Sequence, residues 1–401
     1  MKVKLPKAAV ILAFLVVANS LQAQKKKDNF ELTGTVRGAA AGKHLYVQYT
    51  ANDGRKITDS LAIVNNAFTY SGYTEIPVNV NFYNNPGLEN YGPSWIEVFI
   101  EPGKMTMTTD FTDLSKAQVE GSQTQKERDE LKKQLEPMQT ALDSLKKLYS
   151  PFVEKKKVTK NRDTLRALDQ KIGEWHQLIE KERDRGLKTE LQFFDKHSSS
   201  YLAPEILSMR LDQAAGMRNI PGILATYKKL GASAKMGRTG KLLSDKIASL
   251  EGSAVGKPAA AFSIKDADEK VVSLADYKDK RYVLLHFWSS WSEPCRVEFP
   301  KLKVLYTKYH DKGLDFIGFS EDKNAVSWRK SVDKEGIDIW KQTLMSAATT
   351  TDLKQKYFVT MIPTKILIDP KGNIIGRWSG SSDENEASLE KKLEEIFAKQ
   401  P

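Results

Sequence analysis

Between Tyr282 and Leu302 the chain reads YVLLHFWSSWSEPCRVEFPKL, in which an apolar run of strand character leads straight into a helix start. Pro294 suits the first turn of that helix, where a missing N–H leaves no hydrogen bond unmade. A buried strand that feeds a helix directly commits this region to alternating strands and helices. The pattern continues: a helical stretch around FPKLKVLYTKYHDK, the apolar run LDFIGFS, a helical NAVSWRKSVDKEG, then KILIDP, a KGN turn and IIGRW. A charged helix from about Glu384 to Ala398 closes the chain. Strands separated by helices, with two apolar strands paired at the end, predict a mixed α/β sheet covered by helices. EGSAVGKPAA, Glu251 to Ala260, is small and turn-rich, and the α/β domain is expected over residues 253–401.

The upstream sequence has two other textures. From Phe30 to about Gly121, the runs LYVQY, AFTYSGY, VNVNFY, IEVFI and KMTMTT alternate between NDG, NNPG and EPG turns. They predict an antiparallel β-sandwich over residues 28–121. It carries no clustered His, Asp or Glu at metal spacing and no glycine-rich phosphate loop, so a packing or adaptor role is expected. Across residues 122–252 the texture is helical. Leu131, Leu135, Met138, Leu142, Leu145 and Leu148 recur at helical spacing, and Leu165, Leu168, Ile172, Trp175 and Ile179 repeat it after a break at Ser150-Pro151. Two amphipathic helices in an antiparallel hairpin follow, with Pro137 kinking the first or marking a helix start. This hairpin is the candidate surface for a homodimer. His176 and His197 read as surface or half-buried residues, because a metal site needs convergent ligands. No metal, nucleotide or flavin cofactor is expected.

Residues 1–23 have the layout of a secretory signal peptide: basic MKVKLPK, apolar AAVILAFLVVA, then NSLQA. The apolar run is shorter than the ~20 residues of a membrane-spanning helix, which argues against a stable anchor. Export to the periplasm or cell envelope is the expectation. The formal charge of +11 includes Lys2, Lys4 and Lys7, so the mature chain carries +8. Lysines elsewhere alternate with acids, as in KERDELKK and EKERDR, and form no basic patch with interleaved aromatics, so nucleic acid is not an expected partner. Cys295 is the single cysteine, which excludes an internal disulfide and leaves packing to hold the fold.

A cysteine at a strand-to-helix junction sits among unpaired backbone N–H groups at the positive end of a helix dipole, where thiolate is favoured. Dithiol chemistry there needs two thiols, one to attack a disulfide and one to resolve the mixed disulfide. WSEPCRVEFP, Trp291 to Pro300, resembles the W-C-x-P-C, basic residue, E-x-P motif of the TlpA/ResA-type thiol-disulfide oxidoreductases, thioredoxin-fold envelope proteins related to AhpC/TSA. Ser320 to Asp322 (SED), Met361 to Thr364 (MIPT) and Ile368 to Asn373 (IDPKGN) extend the resemblance. Phe30 to Leu250 resembles the β plus helical region of unknown function that often precedes such domains. The resemblance implies a thioredoxin-like α/β domain. In it Pro363 would be the cis-proline whose preceding residue, Ile362, pairs with an extended substrate. Glu298 would lie near the Cys295 sulfur and modulate it. Trp291, Glu293 and Pro294 would flank the substrate groove, and the partners would be envelope protein or peptide thiols and disulfides.

Ser292 stands where the family has its attacking cysteine. A hydroxyl forms no disulfide and needs a neighbouring base to act as a nucleophile; His286, in the preceding strand, is expected to point elsewhere. Three readings of this degenerate active site follow. Cys295 could support monothiol exchange. The domain could instead be a non-catalytic peptide- or protein-binding module, with Cys295 a buried small residue. Or S-x-x-C could work as in peroxiredoxins, although the proline those enzymes carry four residues before the Ser or Thr is here Trp288.

Overall fold

The computed structural model describes residues 27–39, 42–85 and 92–398. The signal-peptide expectation for residues 1–23 lies outside them. The chain divides into two compact units, one holding the residues up to Tyr49 and Ile57–Gly121, the other holding Thr50–Lys56 and the residues from Ser122 onward.

The first unit is β-rich. Its strands are β1 (Phe30–Arg37), β2 (His44–Thr50), β3 (Lys56–Ala62), β4 (Ala67–Gly72), β5 (Val78–Tyr83), β6 (Trp95–Ile100), β7 (Gly103–Asp110) and β8 (Asp113–Glu120). They form two four-stranded sheets in the orders β4-β1-β7-β8 and β3-β2-β5-β6. Strict alternation along β1, with Phe30, Leu32 and Val36 buried, faces one side of that sheet inward. Those residues share a core with Val47, Val80, Phe82 and Val98 of the other sheet. One pairing corrects the expected all-antiparallel arrangement: β1 and β7 run parallel, Phe30 opposite Gly103 through Arg37 opposite Asp110. Alternation fixes which face is buried but carries no strand direction, so this pairing was invisible in the sequence.

The second unit opens with two long helices, α1 (Gln123–Val158) and α2 (Arg162–Lys196). Tyr149 meets His176, Phe152 meets Trp175 and Lys156 meets Asp169, a falling ladder that makes the pair antiparallel. The expected break at Ser150-Pro151 does not occur; α1 passes through both Pro137 and Pro151. Each proline removes one intrahelical hydrogen bond, and both are exposed, so the freed carbonyls lie at the solvent face. The turn falls at Thr159–Asn161, where the Asn161 side chain accepts from the Thr164 N–H and caps α2. Four shorter helices follow: α3 (Leu202–Leu211), α4 (Ala214–Arg218), α5 (Ile220–Lys229) and α6 (Gly237–Gly252). Among the described residues, no helix is long and apolar enough to cross a membrane.

After a short hairpin, β9 (Ser263–Lys265) and β10 (Val271–Ser273), the α/β region begins with β11 (Tyr282–Trp288) and α7 (Glu293–Tyr309). It continues with β12 (Leu314–Ser320), α8 (Ala325–Glu335), β13 (Lys341–Leu344), α9 (Ala347–Lys356), β14 (Thr364–Ile368), β15 (Ile374–Ser379) and α10 (Asp383–Phe397). The sheet order is β13-β12-β11-β14-β15. β11 pairs parallel with β12 and antiparallel with β14. Buried on both faces, β11 splits its side chains between two cores. Leu284 and Trp288 pack with Cys295, Phe299 and Leu302 on the α7 side, while Val283, Leu285 and Phe287 pack with Tyr357 and Ile366 on the other. His286 alternates with Leu284 and Trp288 and so faces α7.

Gly318 of β12 lies opposite His286. A Cβ there would come within 2.0 Å of Gln342 Oε1, the atom that accepts the Trp288 indole N–H at 3.1 Å. Gly318→Ala should therefore displace Gln342 and leave a buried indole N–H unpaired, lowering stability by about 1–3 kcal/mol. Thermal unfolding of the variant checks this.

Candidate functional site

The site is built where β11 gives way to α7. Ser289 and Ser292 form the turn, with the Ser292 N–H bonded to the Ser289 carbonyl at 3.1 Å. Ser292 is the N-cap of α7; its Oγ accepts the Cys295 N–H at 3.4 Å, and Pro294 lies in the first turn. The SED motif holds the turn from outside. Asp322 accepts the Ser290 N–H at 2.8 Å, the Ser290 hydroxyl at 2.6 Å and the Ser320 hydroxyl at 2.6 Å. Glu293 and Pro294 are exposed, and Trp291 keeps 67% of its surface open to solvent.

Cys295 is the opposite: its exposure is 0%. Burial pushes its thiol up to about 11, outweighing the Ser292 and Ser289 hydrogen bonds that favour thiolate. The expectation from the helix start was a depressed thiol. The dipole and caps are present, but desolvation of the anion is larger.

One turn along α7, Glu298 is also buried, at 1% exposure. It is met from the sheet by two residues that face each other across strands: His286 of β11 and Lys365 of β14. His286 Nε2 is 2.8 Å from Glu298 Oε1, and the Lys365 ammonium bonds Glu298 Oε2. Burial alone would raise the Glu298 carboxyl; the His286 hydrogen bond and the Lys365 charge outweigh it and hold Glu298 below its usual range. Burial likewise lowers His286 and keeps it neutral. A carboxylate is acceptor-only, so Nε2 carries the proton. Nδ1 is then a bare lone pair, buried and without a partner among the described residues.

The Ile362–Pro363 peptide bond is cis. Pro363 is buried, and Ile362, half-buried, packs against the core cluster that contains Cys295. The Thr364 hydroxyl donates to the Met361 carbonyl at 2.7 Å, and the Gly380 N–H to the Pro363 carbonyl at 2.8 Å. The N–H and C=O of Ile362 make no hydrogen bond among the described residues.

Cys295, Ser292 and Glu298 are thus gathered at one helix start, with Trp291, Glu293 and Pro294 on its outer rim. His286 does point away from Ser292, and its target, Glu298, was not foreseen. Lys365 was missed altogether, although a lysine inside TKILI, a strand otherwise apolar after its first residue, was a usable signal. In the helical region His176 bonds the Tyr149 hydroxyl at 2.8 Å, and His197 stacks on Phe193.

A sheet with two parallel strand pairs and an antiparallel edge, a helix capped by Ser292 where β11 ends, and a cis-proline before β14 together define a thioredoxin-fold domain. Residues 255–377 match the AhpC/TSA family, and residues 30–127 match a domain of unknown function, DUF4369. The thiol-disulfide oxidoreductase ResA of Bacillus thuringiensis is 30% identical over 142 residues, covering 35% of this chain and 78% of that protein. ResA of Bacillus anthracis is 31% identical over 146 residues, with the same shares. The thioredoxin domain of a thiol-disulfide oxidoreductase from Bacteroides vulgatus is 31% identical, covers 35% of this chain and 98% of its own, and gives a TM-score of 0.32. Through its C-terminal domain, the chain belongs to the ResA-like thiol-disulfide oxidoreductase family.

Two predictions follow from the buried cluster. Glu298 and His286 both have lowered folded pKa values, so in each case the unfolded chain binds the proton more readily. Stability should then fall with acid, first through His286 below about pH 6.5 at up to about 1.4 kcal/mol per pH unit, and again through Glu298 below about pH 4.3. His286→Asn should flatten the first phase only, as read by urea unfolding between pH 7 and 5. Lys365→Met should cost about 3–5 kcal/mol by leaving the carboxylate without its cation. The double variant Lys365→Met/Glu298→Gln should recover part of that loss in the same assay.

Proposed function

We propose that this member of the thiol-disulfide oxidoreductase family is an envelope protein that holds extended polypeptides at the Trp291–Arg296 loop, and that Cys295 supports at most slow monothiol exchange. The observation that carries the reading is the Cys295 thiol itself: fully buried, with its pKa pushed up to about 11, behind a serine that forms no disulfide. At pH 7 a thiol at about 11 is thiolate in roughly one molecule in ten thousand. The nucleophile is the thiolate, so both chemical readings are slowed relative to an ordinary exposed thiol. The loop's outer rim, by contrast, suits binding. Trp291 offers an exposed aromatic face, and Ile362 offers an unpaired N–H and C=O for main-chain pairing.

Monothiol exchange is the second reading. It is favoured by the Ser292 and Ser289 hydrogen bonds, which ease thiolate formation whenever the loop opens. The peroxidase reading requires a standing thiolate and gains nothing from this geometry. In the same proposal, the leader at residues 1–23 directs export without a stable membrane anchor, and the partners are envelope proteins or peptides carrying thiols or disulfides, not nucleic acid. The division into residues 28–121, 122–252 and 253–401 belongs to this reading. So does a β-sandwich adaptor made from the first of them. Leu148, Val158 and Leu178 are exposed apolar residues that support a homodimer through α1 and α2.

Maleimide labelling of Cys295 across pH tests the reading. The expected profile is slow labelling at pH 7 with a midpoint well above 9, and rapid labelling at neutral pH would restore the chemical readings. Ser292→Cys should acquire disulfide reductase activity absent from the wild type, as measured by insulin reduction. Trp291→Ala should weaken peptide retention without altering the labelling profile.

A further inference from the structure

The segment Thr360–Ile362 carries unpaired backbone groups besides those of Ile362. The N–H groups of Thr360, Met361 and Ile362, and the carbonyls of Thr360 and Ile362, make no hydrogen bond among the described residues. Ile362 lies at one end of this segment, before the cis Pro363. At the other end, Thr360 lines a cleft of about 400 Å³ between α6 of the helical region and the turn that ends α9. That volume falls in the range of about 300–1,000 Å³ typical of ligand sites.

Phe358 and Val359 line the cleft as buried residues, and Leu242 of α6 lines it with 45% of its surface exposed. The Thr360 hydroxyl is buried with no partner among the described residues. Asp245, one turn along α6 from Leu242, is exposed and forms no ion pair among the described residues, whereas Lys246 is engaged by Asp212 at 2.5 Å and Lys354 by Glu321 at 3.0 Å. The cleft's free charge is therefore negative.

The two walls are fastened together. The Ser249 hydroxyl of α6 donates to the Gln355 carbonyl of α9. Arg377 reaches from β15 to the Ser253 hydroxyl at 3.2 Å and to the Phe358 carbonyl at 3.3 Å, and also bonds the Tyr357 carbonyl. Phe358 itself has φ of 46°, a left-handed conformation that a bulky residue adopts only when its surroundings impose it. The cleft is a fixed feature of the second unit.

We infer that the cleft between α6 and the Phe358–Thr360 turn is a side-chain subsite for the same extended polypeptide that pairs with Ile362, and that it takes an apolar side chain flanked by Lys or Arg. This rests on the peptide-binding reading above. A peptide strand rises about 3.3 Å per residue and presents alternate side chains to one face. Thr360 stands two residues before Ile362, at most about 7 Å along the chain, so a neighbouring side chain of a peptide held at Ile362 is within reach of the mouth of the cleft that Thr360 lines. Phe358, Val359 and Leu242 receive an apolar group, the Thr360 hydroxyl meets peptide backbone, and Asp245 attracts a neighbouring cation. The helical region then contributes to sequence preference as well as the loop.

The test is selection of a phage-displayed library of short random peptides on the full chain, followed by fluorescence anisotropy of the enriched peptide with variants. Enriched sequences should pair an apolar residue with an adjacent Lys or Arg. Leu242→Glu should weaken the enriched peptide roughly tenfold, as expected for losing one buried apolar side chain. Asp245→Lys should shift the preference from Lys or Arg to Asp or Glu. Both positions are exposed on α6, so neither substitution disturbs a core. Enrichment on the wild type with affinity and sequence preference unchanged in both variants would leave peptide binding standing and overturn the subsite. No enrichment on the wild type overturns both. If Leu242→Glu instead converts a dimer to a monomer by light scattering, the cleft belongs to a second copy of the chain and the inference fails.

Discussion

The α/β region turns on a carboxylate that is almost wholly buried. Glu298 is buried in the first turns of α7, and burial of an unpaired charge there would cost several kcal/mol. Its two oxygens are taken by His286 from β11 and Lys365 from β14, which the strand register sets directly opposite each other. One ionic group thus ties the helix to the two central strands. The register is enforced as well, because a one-residue slip of β14 would turn Lys365 to the far face and leave the carboxylate without its cation.

The same desolvation governs the thiol one turn away. Cys295 shares the helix N-terminus and the Ser292 cap that would favour thiolate, yet burial prevails and keeps it protonated. Burial divides this loop into two sides: its inward residues are buried and neutral or internally compensated, while its outward residues, Trp291, Glu293 and Pro294, face solvent.

Much of this architecture was legible in the residues. The apolar run of β11, the proline-led start of α7, and the paired β14 and β15 all follow from periodicity and turn chemistry. Elements with short or mixed patterns escaped notice. β13 is only KQTL, and α9 opens AATTT, a run with little apolar periodicity. Pro151 suggested a break that α1 does not make, because 36 residues of helix packed against α2 tolerate the loss of single hydrogen bonds. In the site, Ser292, Cys295 and Glu298 were visible through the resemblance of WSEPCRVEFP to the family motif. Lys365 was not, since it lies 67 residues from Glu298 and meets it only through strand pairing.

The sequence by itself determined that position 292 holds a hydroxyl and that the chain has one thiol, because these are matters of composition that no fold can alter. It also determined the strand-to-helix junction, because local periodicity and a proline at the first turn act over a few residues. Whether that thiol is reachable, whether Glu298 is charged, and which backbone groups beside Pro363 stay unpaired were decided only by the tertiary structure. Each depends on desolvation and on partners brought from distant strands, and neither is encoded in any single stretch of the chain.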